Sequence, residues 1–184
     1  LVGNTEVFQK ELTDLRFHLE WQNLPSKGLR EYYREYFEKE IEIDESKFKV
    51  HLTALSGYEF KPEPEDGNIE FQLFPKDPTT NHVFFEIPDP KRLQIRPNPD
   101  IQSVDHYDNQ TAGGFFRLEL MEPKLAFGHS LFQERMTEVA MHNSNLDEEE
   151  QKKYPNPPFT PIAKKVEIGY KAKTYKLKAK KAAN

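Results

Sequence analysis

Apolar residues occupy alternate positions over several stretches of the chain. Leu15, Phe17, Leu19 and Trp21 alternate with Arg16, His18 and Glu20, the period of a half-buried β-strand. Phe48, Val50, Leu52 and Ala54 repeat the pattern, with Lys47, Lys49, His51 and Thr53 expected to face outward. Ile69, Phe71 and Leu73 predict a third strand, residues 82–87 a fourth, and Phe116, Leu118 and Leu120 a fifth. Ile162, Val166, Ile168, Tyr170 and Ala172 share one face of a last strand. Beyond Lys173 and Thr174 the phase reverses, with Tyr175 and Leu177 on the opposite parity, as a bulge or tight turn would cause.

Two segments carry the helical period instead. Leu29, Tyr32, Tyr33, Tyr36 and Phe37 predict an amphipathic helix over 29–38 whose aromatic stripe packs on a sheet. Phe132, Met136, Val139 and Ala140 predict the inner face of a second helix over 131–142. Ser130 and Gln133 stand where a capping box would open it, and Asn143 or Asn145 where left-handed geometry would close it. Gly128, just before it, suits a position of unusual φ. Turn-rich segments at 61–67, 88–100 and 105–114 separate the elements. Short alternating strands between Pro/Gly loops, with no βαβ rhythm, predict a mainly β fold: an antiparallel β-sandwich with two short α-helices. Residues 1–184 read as a single domain, with 1–100 and 101–184 as its candidate lobes, belonging to a longer protein. Phe17, Leu19, Trp21, Phe48, Val50, Leu52, Phe116, Leu118 and Val166 form the expected core.

Composition adds limits. Hydrophobic residues make up only 36%, but 14 Phe and 8 Tyr supply large buried areas. The absence of cysteine excludes disulfides and thiolate chemistry and favours a cytoplasmic location. No apolar run reaches membrane-spanning length. The net charge of −5 is uneven: residues 151–184 hold ten lysines against the single acid Glu167. That tail lacks Arg, the residue suited to forked phosphate contacts, so it reads as a solvated edge and no nucleic-acid partner is expected.

Candidate chemistry is sparse. Asp105, His106, Tyr107 and Asp108 crowd a His between carboxylates, but neighbours in one loop rarely converge on one point. His129, Ser130 and Glu134 are explained by a helix start, and Gly113 and Gly114 lack the spacing of a nucleotide loop. No catalytic residue, metal or cofactor is therefore expected.

The most informative segment is Tyr154-Pro-Asn-Pro-Pro-Phe-Thr-Pro-Ile162. Four prolines in seven residues fix φ and push their predecessors into extended geometry, giving a stiff polyproline-like arm. Pro155, Pro157, Pro158, Phe159 and Pro161, with Lys165, Lys171 and Lys173 on the outer face of the following strand, form the candidate interface. The alternative is that the arm covers the domain's own core, with Phe159 as a plug.

The order of these pieces resembles one family. Gly114-Phe-Phe-Arg-Leu-Glu-Leu120, Ala126-Phe-Gly-His-Ser-Leu-Phe132, a helix containing Met141-His-Asn-Ser144, the proline arm and a strand bearing Tyr170 are similar to the large baseplate wedge protein of extracellular contractile injection systems. These are phage-tail-like particles of the antifeeding-prophage and Photorhabdus virulence cassette type, and the wedge proteins are relatives of phage baseplate J proteins. Leu15 to Pro25, Tyr32-Tyr33 and Ser46 to Ser56 extend the likeness upstream, while the acidic insertion Leu146 to Gln151 departs from it. The resemblance implies a structural subunit, assembled in the cytoplasm into a particle through contacts with other baseplate or wedge subunits. A non-catalytic carbohydrate- or protein-binding sandwich is the alternative, and exposed aromatics on a flat face would favour it.

Overall fold

The computed structural model describes residues 1–36, 43–62, 69–102 and 106–174. Two antiparallel sheets face each other. The larger contains β1 (Val2–Gly3), β7 (Phe115–Glu122), β3 (Lys49–Ser56) and β4 (Glu59–Lys61) in that order, with β5 (Glu70–Gln72) also beside β3. The smaller places β2 (Leu12–Trp21) between β6 (His82–Ile87) and β8 (Ala163–Ala172). Strands from beyond residue 100 complete both sheets, β7 pairing with β3 and β8 with β2, so the two halves of the sequence interleave. The antiparallel sandwich-like architecture is as the alternation predicts.

Aromatic rings join the layers. Phe17 of β2 meets Phe116 of β7 edge-on at 5.2 Å between centroids, and Phe71 of β5 stacks on Phe85 of β6 at 4.1 Å. Trp21 is buried and its indole N–H donates to the Leu73 carbonyl at 3.1 Å, tying the small sheet to the segment after β5. Phe17, Leu19, Trp21, Phe48, Val50, Leu52 and Phe116 are buried as expected. Leu118 and Val166 are only half-buried against the core. Their strands explain this: β1 pairs with β7 only at Phe115 and Phe116, and β8 is an edge strand.

The structure corrects several expectations. His51 and Thr53 do not face solvent; they are 2% and 1% exposed. β3 is the central strand of the larger sheet, and its outer face is covered as well as its inner one. Near that outer face Tyr107 lies 5.8 Å from Phe60 and 5.9 Å from Phe115, and Arg117 sits over the Phe60 ring. β4 is not apparent from the pattern. It forms because Gly57 and Tyr58 both take positive φ (62° and 73°), the two-residue turn that matches strand twist.

The described residues contain three helices, not two. α1 (Thr5–Phe8) is a single turn whose start is capped by the Asn4 side chain, which accepts from the Val7 N–H at 3.2 Å. α2 (Gly28–Tyr32) is shorter than predicted and tightens into a 3-10 turn at Arg34–Tyr36; Phe37 lies outside the described residues. The adjacent Tyr32 and Tyr33, both modest helix formers, favour that change of pitch. α3 (His129–Asn143) occupies the expected place. It opens on Gly128 at φ 79° with no side-chain cap, so the Ser130–Gln133 capping box does not form, Ser130 lying inside the helix. It closes on Ser144 in right-handed geometry, not on Asn143 or Asn145 in left-handed geometry. Ala140 is exposed, and Phe132, Met136 and Val139 turn inward. The phase reversal at Tyr175 and Leu177 falls outside the described residues.

Replacing Phe17 or Phe116 by Ala removes a ring from the contact between sheets. Each substitution should lower unfolding free energy by about 3–5 kcal/mol, read from chemical denaturation midpoints at unchanged slope.

Candidate functional site: the proline arm and the last strand

The arm is laid on a bed of tyrosines. The Tyr32 hydroxyl donates to the Pro157 carbonyl at 2.8 Å and the Tyr36 hydroxyl to the Asn156 carbonyl at 2.6 Å. The Asn156 side-chain amide returns a bond to the Tyr32 carbonyl at 2.8 Å. Tyr33 is the hub: its hydroxyl accepts from the Phe159 N–H at 3.0 Å and donates to the Phe127 carbonyl at 2.9 Å. The arm's two ends are held by asparagines. Asn143 bonds both backbone groups of Lys152, each at 2.9 Å, and Asn23 bonds the Thr160 carbonyl at 2.7 Å and the Ile162 N–H at 2.8 Å.

This arrangement follows from the sequence. Each proline removes a backbone donor, so the arm cannot enter a sheet ladder, and its carbonyls need side-chain donors. The shortened α2 and the 3-10 turn after it aim Tyr32 and Tyr36 at those carbonyls and Tyr33 at the Phe159 N–H. Burial pushes the hydroxyl pKa of all three upward, Tyr36 to about 12 and Tyr33 further. They stay neutral donors across ordinary pH. The sequence pattern assigns the tyrosine stripe to packing alone; the signal it overlooks is a row of hydroxyls beside a donor-poor segment.

The predicted interface residues divide. Phe159 is 5% exposed and packs against Tyr32, Phe74 and Phe127. Pro155 is buried too, and Pro158 and Pro161 are half-buried. Phe159 thus occupies the position of an internal plug. Pro157 is exposed, as are Tyr154 and Thr160, three residues to either side. That spacing is one face of a polyproline helix with three residues per turn. The arm therefore turns two faces inward and presents one ridge outward.

β8 follows as the outer strand of the small sheet. Lys165, Lys171 and Lys173 are exposed, and each is engaged by an acid of the same chain: Glu167 at 2.7 Å, Asp14 at 3.2 Å and Glu11. Lys164 pairs with Glu20 at 2.6 Å. These contacts hold the carboxyl of Glu167 below its usual range, through Lys165 first and His18 next, and that of Asp14 through Arg16 and Lys171. Ile162, placed by the sequence on the inner face, lies before the strand and is exposed.

The loop carboxylates serve the backbone. Asp108 accepts from the Thr111 hydroxyl and the Gln110 N–H, both at 2.9 Å, which lowers its pKa and builds a turn. His106 is exposed beside it, and Asp105 lies outside the described residues. His129, Ser130 and Glu134 are exposed on the first turns of α3. Among the described residues no group of three or more His, Asp or Glu side chains could hold a metal ion.

No protein-family model matches the chain, and no curated protein matches it at a significant level.

Two measurements check the tyrosine bed. Tyr33→Phe leaves the Phe159 N–H and the Phe127 carbonyl unmatched and should cost about 1–3 kcal/mol of stability, while Tyr33→Leu should cost more. The raised tyrosine pKa values favour the neutral form in the folded chain, so their contribution is complete below pH 10 and lost as pH rises towards about 12. The melting temperature should fall over that interval, and less steeply in Tyr36→Phe.

Proposed function

We propose that this chain is a non-catalytic assembly module of a phage-tail-like contractile injection particle. In that role it contacts neighbouring baseplate or wedge subunits and assembles in the cytoplasm. The observation that carries the reading is the ridge of Tyr154, Pro157 and Thr160, exposed on an arm whose other faces are fixed to the domain. A surface already immobilised loses little entropy when a partner docks. The order of motifs described above supplies the kind of particle. The lysines of β8 are engaged by acids of the same chain, which supports a self-compensated edge over an anion-binding surface. Among the described residues no helix is long and apolar enough to cross a membrane.

A second reading, a carbohydrate- or protein-binding sandwich, has one observation on its side. Phe84 is 71% exposed on the outer face of the small sheet, stacked on His18 at 4.2 Å. Trp21, by contrast, is committed to the core.

The test separates the faces of the arm. Tyr154→Ala with Pro157→Ser and Thr160→Ala should leave the melting temperature unchanged and abolish recovery of intact particles from producing cells. Normal particles would overturn the proposal. The inward variant Pro158→Ser with Phe159→Ala should instead lower the melting temperature sharply, since it empties the plug.

A further inference from the structure

The two edges of the small sheet are built differently. β8 carries Lys164, Lys165 and Lys171 along ten residues, the usual guard against edge-to-edge pairing. β6 at the other edge reads His82-Val-Phe-Phe-Glu-Ile87, with no lysine, no proline, and a solvent-exposed Phe84. Such a segment is a template for strand addition. Among the described residues no strand pairs with its outer side.

The geometry points to a second copy of this chain as the occupant: we propose a two-fold dimer in which β6 pairs antiparallel with β6 of its partner. The proposal is independent of the particle reading above. The Trp21 N–H donates to the Asn81 carbonyl at 2.9 Å, which marks that position as a hydrogen-bonded pair. Alternation then directs the backbone of Val83, Phe85 and Ile87 towards β2, and that of His82, Phe84 and Glu86 outward. The same three residues carry their side chains on the outer face, while Val83, Phe85 and Ile87 are buried in the core. A continuous sheet across the two-fold requires outward residues to meet outward residues. Registers centred on Val83, Phe84, Phe85 or Glu86 satisfy this with at least three residues of each β6 overlapped, and the last sets Glu86 against its own copy.

Side-chain chemistry selects one. Centred on Phe84, the outer face sets ring against ring and places each His82 opposite the other copy's Glu86. On the inner face it sets Val83 against Phe85. The neighbouring registers set Phe84 against His82 or against Glu86 and leave the remaining polar side chains unmatched. Arg16 already orients Glu86 at 3.3 Å, and His82 is oriented by its 2.9 Å bond to His18. The selected register would join two three-stranded sheets into one of six, and the exposed ring would be covered by its own symmetry mate.

The chain has no cysteine, so introduced thiols report the register without interference. In the proposed dimer the two copies of residue 84 lie about 5.5 Å apart at Cα, inside the span of a disulfide. Phe84→Cys should therefore give a covalent dimer on mild oxidation. His82→Cys and Glu86→Cys alone should not, because each faces the other position with its own copy about 13 Å away along the strand. The double variant His82→Cys with Glu86→Cys should cross-link. For the unmodified chain, sedimentation should show a concentration-dependent dimer. Phe84→Pro removes an outward N–H together with the exposed ring, and should abolish that dimer while the melting temperature of the monomer stays near the parent's, β6 being an edge strand. A chain that sediments as a monomer at every concentration would overturn the proposal. So would a His82→Cys or Glu86→Cys single variant that cross-links as fast as Phe84→Cys, or a Phe84→Pro variant that still dimerises.

Discussion

A segment with four prolines in seven residues cannot be held by a β-ladder, and the rest of this structure is arranged around that fact. Ladder bonds require alternating donors, and between Pro155 and Pro161 the chain offers few. Its polar backbone groups are met by hydroxyls from one short piece of sequence: Tyr32 and Tyr36 donate to the Pro157 and Asn156 carbonyls, and Tyr33 accepts from the Phe159 N–H. One phenol serves two segments, since Tyr33 also binds the Phe127 carbonyl. The arm, the helical turns at 28–36 and the approach to α3 are therefore one hydrogen-bonded body.

Local conformations follow from that body. α2 ends early and tightens because three hydroxyls must point at one strip of backbone. Gly128 takes φ 79° beside Tyr36, where a Cβ would come within 3.1 Å of the ring. A side chain there would be strained by its backbone and crowded by the tyrosine at once. Phe159 then closes a cluster of rings with Phe74 and Phe127, so the arm is attached by polar bonds along its length and by one apolar anchor.

Alternation makes the long strands legible, because β2, β3, β6, β7 and β8 each turn one apolar row towards the core. It misleads at His51 and Thr53. A period of two says which residues share a face, not whether the second face meets water. The short pairings β1 and β4 are invisible to it because two or three residues carry no period. The caps of α3 are misplaced for a related reason. Ser130 and Asn143 are good cap residues by type, but a glycine at 128 begins the helix earlier and Asn143 is occupied with Lys152. At the candidate site the sequence identifies a stiff arm and offers both of its uses. It cannot say which prolines turn inward, since that depends on tyrosines more than a hundred residues away.

Strand order also has a kinetic meaning. β2 sits at the centre of its sheet, yet its partner β8 lies some hundred and fifty residues downstream, Leu15 opposite Tyr170. During synthesis β2 and β6 emerge long before β8 does. Closing so large a loop carries an entropic cost that local contacts cannot offset early, and topologies of this kind fold slowly. Until β8 arrives, the nascent sheet exposes both flanks at once, the guarded one not yet made and the unguarded one already present. The small sheet is thus open to non-native pairing for most of the chain's synthesis, until its last strand is made.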